Sequence, residues 1–190
     1  MKIETYKDGS IPENVSAFVS ELLHDAFEER RQQGLNFKCG LFSPEDVKTY
    51  LNGGGYLLVC YDDNNVPVGT LTLIPRTKGK MKYLSHDNLA ILNKCKGQGI
   101  ATKLFNRMME IAKELDVDFI SSATATTAHS SVMYHLKRGF KIRQKSFGHS
   151  YNAYNFILPI KRLNWLKVEP LRLCLYAILT FKNKIKTIIK

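Results

Sequence analysis

The stretch KCKGQGIATKL, residues 94–104, constrains the fold more than any other part of the chain. Two glycines, Gly97 and Gly99, bracket Gln98, and lysines flank the turn. A pattern of helical period begins at once, with Ile100, Leu104, Met108, Ile111 and Leu115 on one face. Just upstream, DNLAIL (residues 87–92) reads as a strand. A strand that enters a helix through glycines lets the backbone approach a ligand closely and leaves the first helical amides without internal partners. The natural guest at such a turn is an anion.

Two common phosphate-binding turns fail to fit. A P-loop requires four residues between its glycines and then Gly-Lys-Ser/Thr, which is absent here. A dinucleotide fingerprint requires a third glycine where this chain has Thr102, and it normally opens a protein rather than following several strands and helices.

Upstream, a short strand is expected over residues 2–6. Val15, Phe18, Val19, Leu22, Leu23, Ala26 and Phe27 then recur at helical spacing across 13–33, and Gly34 stops that helix. Ser43, Pro44 and Asp46 predict a second helix start, with a capping serine, proline at the first position and an acid three residues after the cap. YLLVCY (56–61) and residues 66–74 flank the turn-forming Asp62–Asn65 and predict a hairpin, followed by a basic loop over 76–82. Further strands are expected over 117–125 and in a closing pair at FKIRQKSF and YNAYNFILPI, with a helix over 128–137 ended by Gly139.

The chain of 190 residues suits one globular body, 1–160, plus an appendage, 161–190. Residues 161–190 hold eight Lys/Arg against one acid, Glu169, a net +7 that leaves +4 of the chain's +11 for the rest. On a helix, Leu171, Cys174, Leu175, Ile178, Ile185 and Ile189 group opposite Arg172, Lys186 and Lys190, which predicts an amphipathic C-terminal helix. Two readings compete for residues 163–190: peripheral membrane contact, or packing on the domain or on a second copy. Nucleic acid is not expected, because the lysines interleave with aliphatic rather than aromatic residues. No apolar stretch approaches the roughly 18 to 20 residues that span a bilayer, and the start lacks a secretory pattern, so the expected location is the cytoplasm, at the inner membrane face if the appendage docks. Cys39, Cys60, Cys95 and Cys174 form neither a CxxC pair nor a zinc-spaced cluster, so reduced thiols and no metal are expected.

The turn itself resembles the pyrophosphate-binding stretch of the GNAT N-acetyltransferases, in which Gln or Arg is followed by two residues, Gly, one residue, and Gly or Ala. Gly99 and Ala101 match, and Lys96 stands for Gln/Arg. VMYHLKRGF (132–140) resembles the family's second signature, a helical tyrosine shortly before Gly-Phe. The resemblance covers about residues 55–160. It implies an α/β (α+β) GNAT fold, with a mixed, mostly antiparallel central sheet flanked by helices. It also implies an acetyltransferase that moves acetyl from acetyl-CoA directly to a primary amine.

On this reading the amides from Gly97 through Gln98, Gly99, Ile100, Ala101 and Thr102 hold the diphosphate, with Lys96 beside them. Leu89, Ala90, Ile91 and Leu92 lie on the strand that pairs with the pantetheine arm, and the amide of Ile91 or Leu92 polarises the thioester carbonyl. Tyr134 stands where the family has its general acid. No glutamate lies on 117–125, where several relatives keep a base, and Ser121 and Ser122 are found instead. Asp87 or His86 is the alternative, acting through water. Thr127 stands where many relatives have Asn. The acceptor stays open among an amino sugar or glycan precursor, a small amine and a protein amino group. A non-catalytic acyl-CoA-binding sensor or scaffold is the rival reading.

Overall fold

The computed structural model describes residues 1–51, 54–147 and 151–161. Seven strands form one sheet in the order β1-β2-β3-β4-β5-β7-β6. They are β1 (Lys2–Lys7), β2 (Tyr56–Tyr61), β3 (Pro67–Lys78), β4 (Met81–Ile91), β5 (Phe119–Ala125), β6 (Lys141–Phe147) and β7 (Asn152–Pro159). Every neighbouring pair is antiparallel except β4 and β5. Helices α1 (Glu13–Gln32), α2 (Pro44–Thr49), α3 (Ile100–Glu114) and α4 (His129–Lys137) complete the expected mixed architecture. The predicted C-terminal amphipathic helix lies outside the described residues, none of whose helices is long and apolar enough to cross a membrane.

The run YLLVCY lacks an alternating polar face because both sides of β2 are covered. Leu57, Val59 and Tyr61 pack with Val15, Val19, Leu22, Leu23 and Phe27 of α1, whereas Leu58 and Cys60 pack with Ile100, Leu104, Met108 and Ile111 of α3. Two apolar layers thus sandwich the sheet. Helix α2 begins as expected: Ser43 Oγ accepts from the Asp46 amide at 3.1 Å, and the Asp46 carboxylate accepts from the Ser43 amide at 2.8 Å.

One expectation is overturned. Residues 76–82 are not a loop but the far end of a long hairpin, with Arg76 opposite Tyr83 and Lys78 opposite Met81 and the turn at Gly79. The strand read over residues 87–92 is therefore only the end of β4. Polarity masked the pairing, because an antiparallel ladder that extends past the core does not need apolar side chains.

Two features of β4 position the site. Its pairing with β3 slips by one residue, Thr70 facing Ala90 and Thr72 facing Asp87, and Asn88 takes a left-handed φ of 54° in that bulge. Its parallel pairing with β5 ends at His86 opposite Ser122, although β4 runs on to Ile91 and β5 to Ala125. The two strands part, and a wedge opens between their C-terminal ends.

Candidate active site

Helix α3 starts at the side of that wedge. Gly97 and Gly99 adopt φ values of 82° and 79°, where a side chain is strained, and no atom lies within 4 Å of where a Cβ would stand on either. The amides of Gly97, Gln98, Gly99, Ile100 and Ala101 donate to no acceptor among the described residues, whereas the Thr102 amide turns back to the Gly99 carbonyl at 3.0 Å. Five free donors and the positive end of a fifteen-residue helix suit a diphosphate. Close seating of this helix depends on Gly69 in β3, where an added Cβ would lie 2.7 Å from Ile100 Cγ2.

Just past β4 the Leu92 amide donates to the Val68 carbonyl at 3.0 Å, so it is not free to polarise a ligand. Alternation in an antiparallel ladder then turns the Ile91 N–H the other way, toward the gap that β5 leaves. Of the two amides proposed for the thioester carbonyl, Ile91 is the one so aimed.

Tyr134 and His86 face this region with ring centroids 5.9 Å apart. The Tyr134 hydroxyl and His86 Nε2 are both buried without a hydrogen-bond partner among the described residues. Burial pushes the Tyr134 phenol up to about 12, against a smaller opposing pull from Arg138. Tyr134 therefore carries its proton at neutral pH. Burial, and secondarily His135, holds His86 far below its ordinary value, so the ring is neutral.

The protons around His86 can be assigned from its partners. His135 is also neutral, kept below its ordinary value by burial, and its Nδ1 lies 2.7 Å from the Ser131 carbonyl, an acceptor only. His135 must therefore donate from Nδ1 and accept at Nε2, which lies 2.9 Å from Ser122 Oγ. Ser122 has one proton, and although the His86 carbonyl is 3.1 Å away, only donation to His135 Nε2 satisfies that nitrogen. His86 Nδ1, 3.1 Å from Ser122 Oγ, then carries a hydrogen and donates it to the serine. His86 Nε2 is left as a bare lone pair, with no donor among the described residues.

Asp87 projects from the opposite face of β4, beside α1 and α2. Its carboxyl is raised above the ordinary carboxylate value by burial, opposed by Ser85, by the Tyr50 hydroxyl at 3.4 Å, and by Arg76. Burial pushes the neighbouring Cys39 thiol up to about 12, so it is un-ionised. His86, Asp87, Cys39, Ser122, Tyr134 and His135 border one cleft of about 490 Å³, lined also by residues 88–91, by Lys96 and Ala101 at the start of α3, and by the end of α1. Among the described residues no three His, Cys, Asp or Glu side chains cluster to hold a metal.

The family model described as the acetyltransferase (GNAT) family matches residues 17–140. This chain belongs to that family. Its members transfer an acyl group from acyl-CoA to an amine, and the free amides at α3 fit the diphosphate of such a donor. No curated protein matches the sequence. Solved structures with the same fold include a ribosomal-protein-alanine N-acetyltransferase from Brucella melitensis (17% identity, 84% of this chain and 100% of that one, TM-score 0.66). Another is an aminoglycoside 6'-acetyltransferase type Ii (17%, 86% and 99%, TM-score 0.66). A third is a chain of a NatC complex bound to a Gag peptide and CoA (16%, 85% and 100%, TM-score 0.56).

Several arrangements around these groups escape a reading of the sequence, even where the residue itself is noticed. Arg138 reaches from the end of α4 to donate to Thr102 Oγ1 at 2.8 Å, with its guanidinium 4.8 Å from the Tyr134 ring centre. That places a cation at the start of α3, beside the glycine turn. Ser122 and His135 form the hydrogen-bonded array that orients His86. Arg30, 56 residues before His86, lines the same cleft from α1. None of the three arrangements has a local sequence signal, since each is made by the sheet.

Proposed function

We propose that this chain transfers an acetyl group from acetyl-CoA directly to a primary amine, without a covalent enzyme intermediate. The observation that carries the proposal is a coincidence along one cleft: the unused amides at α3, the parted ends of β4 and β5, and two buried, unpartnered polar atoms on Tyr134 and His86. Amides 97–101, with Lys96 and Arg138 beside them, hold the diphosphate. Leu89, Ala90 and Ile91 line the path of the pantetheine arm, and the Ile91 amide polarises the thioester carbonyl.

Proton movements follow from the protonation states. Tyr134 stays protonated at neutral pH and gives its proton to the departing thiolate. The amine must arrive deprotonated, and Asp87 suits the role of base better than His86. A buried carboxyl with a raised value stands nearer neutrality, whereas the His86 ring resists a proton. His86 Nε2 serves instead as a fixed acceptor that orients an N–H of the reactants.

Exchange of Tyr134 to Phe tests the assignment. Acetyl-CoA-dependent thiol release should fall on the order of 10²- to 10⁴-fold while calorimetry finds cofactor affinity unchanged. Retained turnover would remove the tyrosine from the reaction. A wild-type chain that binds acetyl-CoA but releases no thiol with any amine would instead be a sensor or scaffold.

A further inference from the structure

Arginines 30 and 31 sit side by side in the last turn of α1, yet they are used differently. Arg31 gives both arms of its fork to Glu28, at 2.8 and 2.9 Å, a complete ion pair on the outer surface. Arg30 points into the cleft, half-buried, and among the described residues it makes no ion pair and no side-chain hydrogen bond. What holds it is aromatic. Its guanidinium carbon lies 5.3 Å from the Phe27 ring centre and 5.6 Å from that of Phe37, and Phe37 in turn packs 4.8 Å from Tyr151.

Stacking engages the flat face of a guanidinium and leaves its five in-plane N–H donors free. A partly desolvated cation that lines a cleft and meets no acid among the described residues lacks the anion that would compensate it. Glu29, the nearest acid in sequence, lines the same cleft but does not come within ion-pair distance. The other charge on this side is Asp87, at the parting of β4 and β5, and the fields of both Arg30 and Asp87 reach the Cys39 thiol. The acceptor side of the cleft thus offers a proton-accepting carboxyl at the reacting end and an unmatched planar cation farther out along α1.

We propose that Arg30 receives an oxyanion, carboxylate or phosphate, carried by the acceptor, so that the substrate is a small amine with an anionic group rather than a simple alkylamine or a polyamine. This rests on the acetyltransferase reading above and assigns its substrate class. The planar fork matches the two oxygens of a carboxylate or phosphate, and the rigid aromatic seat fixes its direction without much loss of rotamer freedom.

Paired acceptors test it in the full-length protein with acetyl-CoA: tyrosine against tyramine, lysine against cadaverine, glucosamine 6-phosphate against glucosamine. The anionic member of at least one pair should win in kcat/KM by on the order of 10- to 100-fold, the size of a charge-assisted bidentate contact. The carboxylate and phosphate pairs separate the two sources. Arg30→Gln should abolish that preference through KM, with kcat and acetyl-CoA affinity unchanged. Calorimetry of the same pairs on the CoA-loaded protein gives a readout independent of turnover. If no pair yields thiol, the transferase reading fails, yet stronger binding of the anionic members that Arg30→Gln removes would still uphold the anion site. Equal use or equal binding of both members, or an Arg30→Gln chain that loses thermal stability without changing discrimination, overturns the proposal.

Discussion

Burial raises the Asp87 carboxyl above its ordinary value of 3.8, so the folded chain holds that proton more tightly than the unfolded chain does. The sign of the consequence is fixed by linkage. Below about pH 3.8 both states are protonated and the group is neutral in its effect. As pH rises through the raised folded value, ionisation favours the unfolded chain, and the penalty persists at neutral pH. Asp87→Asn should therefore raise Tm at pH 7, lose that gain in acid, and lower kcat, because the amide cannot accept a proton. Thermal melts at pH 3.5 and pH 7 beside thiol-release assays measure all three. A variant that is less stable at pH 7 would show that the carboxylate is held by partners rather than strained by desolvation. Residue types were legible in the sequence at this scale where they are local: Tyr134 stands a fixed interval before Gly139 and Phe140, on one helix and its stop. The partners that give His86 its tautomer were not, because Ser122 and His135 reach it from β5 and α4 only after β4 and β5 pair.

Helix α3 was the most readable element, since its apolar face, its glycine start and its strand partner are contiguous in sequence. The wedge beside it was only partly so. A bulge at Asn88 and the early end of the β4–β5 ladder depend on register between distant strands, and no periodicity within either strand encodes where the pairing stops. One close approach on β3 was not singled out in the sequence. Gly69 interrupts an otherwise β-branched and apolar run, and in the fold it lets Ile100, at the first turn of α3, lie against the sheet. Gly69→Ala would bring a methyl to 2.7 Å from Ile100 Cγ2, with both atoms in the packed interior. The expected cost is about 1–3 kcal/mol of unfolding free energy. Displacement of the α3 start should also weaken acetyl-CoA binding more than an equally destabilising core change far from the turn, such as Leu22→Ala. Calorimetry with acetyl-CoA on both variants decides whether the seat of the helix, or stability alone, controls acetyl-CoA binding.

At the scale of the whole chain, charge is distributed in a way the catalytic fold does not require. The appendage 161–190 holds +7 of the +11, and its lysines and arginines alternate with leucines and isoleucines. Each basic residue near an anionic lipid surface contributes about 1 kcal/mol, a term that weakens as salt shortens the Debye length. The full chain should sediment with anionic vesicles at low ionic strength, release as salt is raised, and ignore neutral vesicles. A chain ending at Lys161 should lose that association and keep its acetyl-CoA affinity. Should the shortened chain still bind the vesicles, the basic residues of the β3–β4 hairpin, Arg76, Lys78, Lys80 and Lys82, become the candidates instead. Should the full chain ignore vesicles but form dimers that the shortened one does not, the apolar side of the appendage meets protein. Either result bears on the acceptor, because an amine met at a membrane surface arrives along a different path from one that diffuses freely to Arg30.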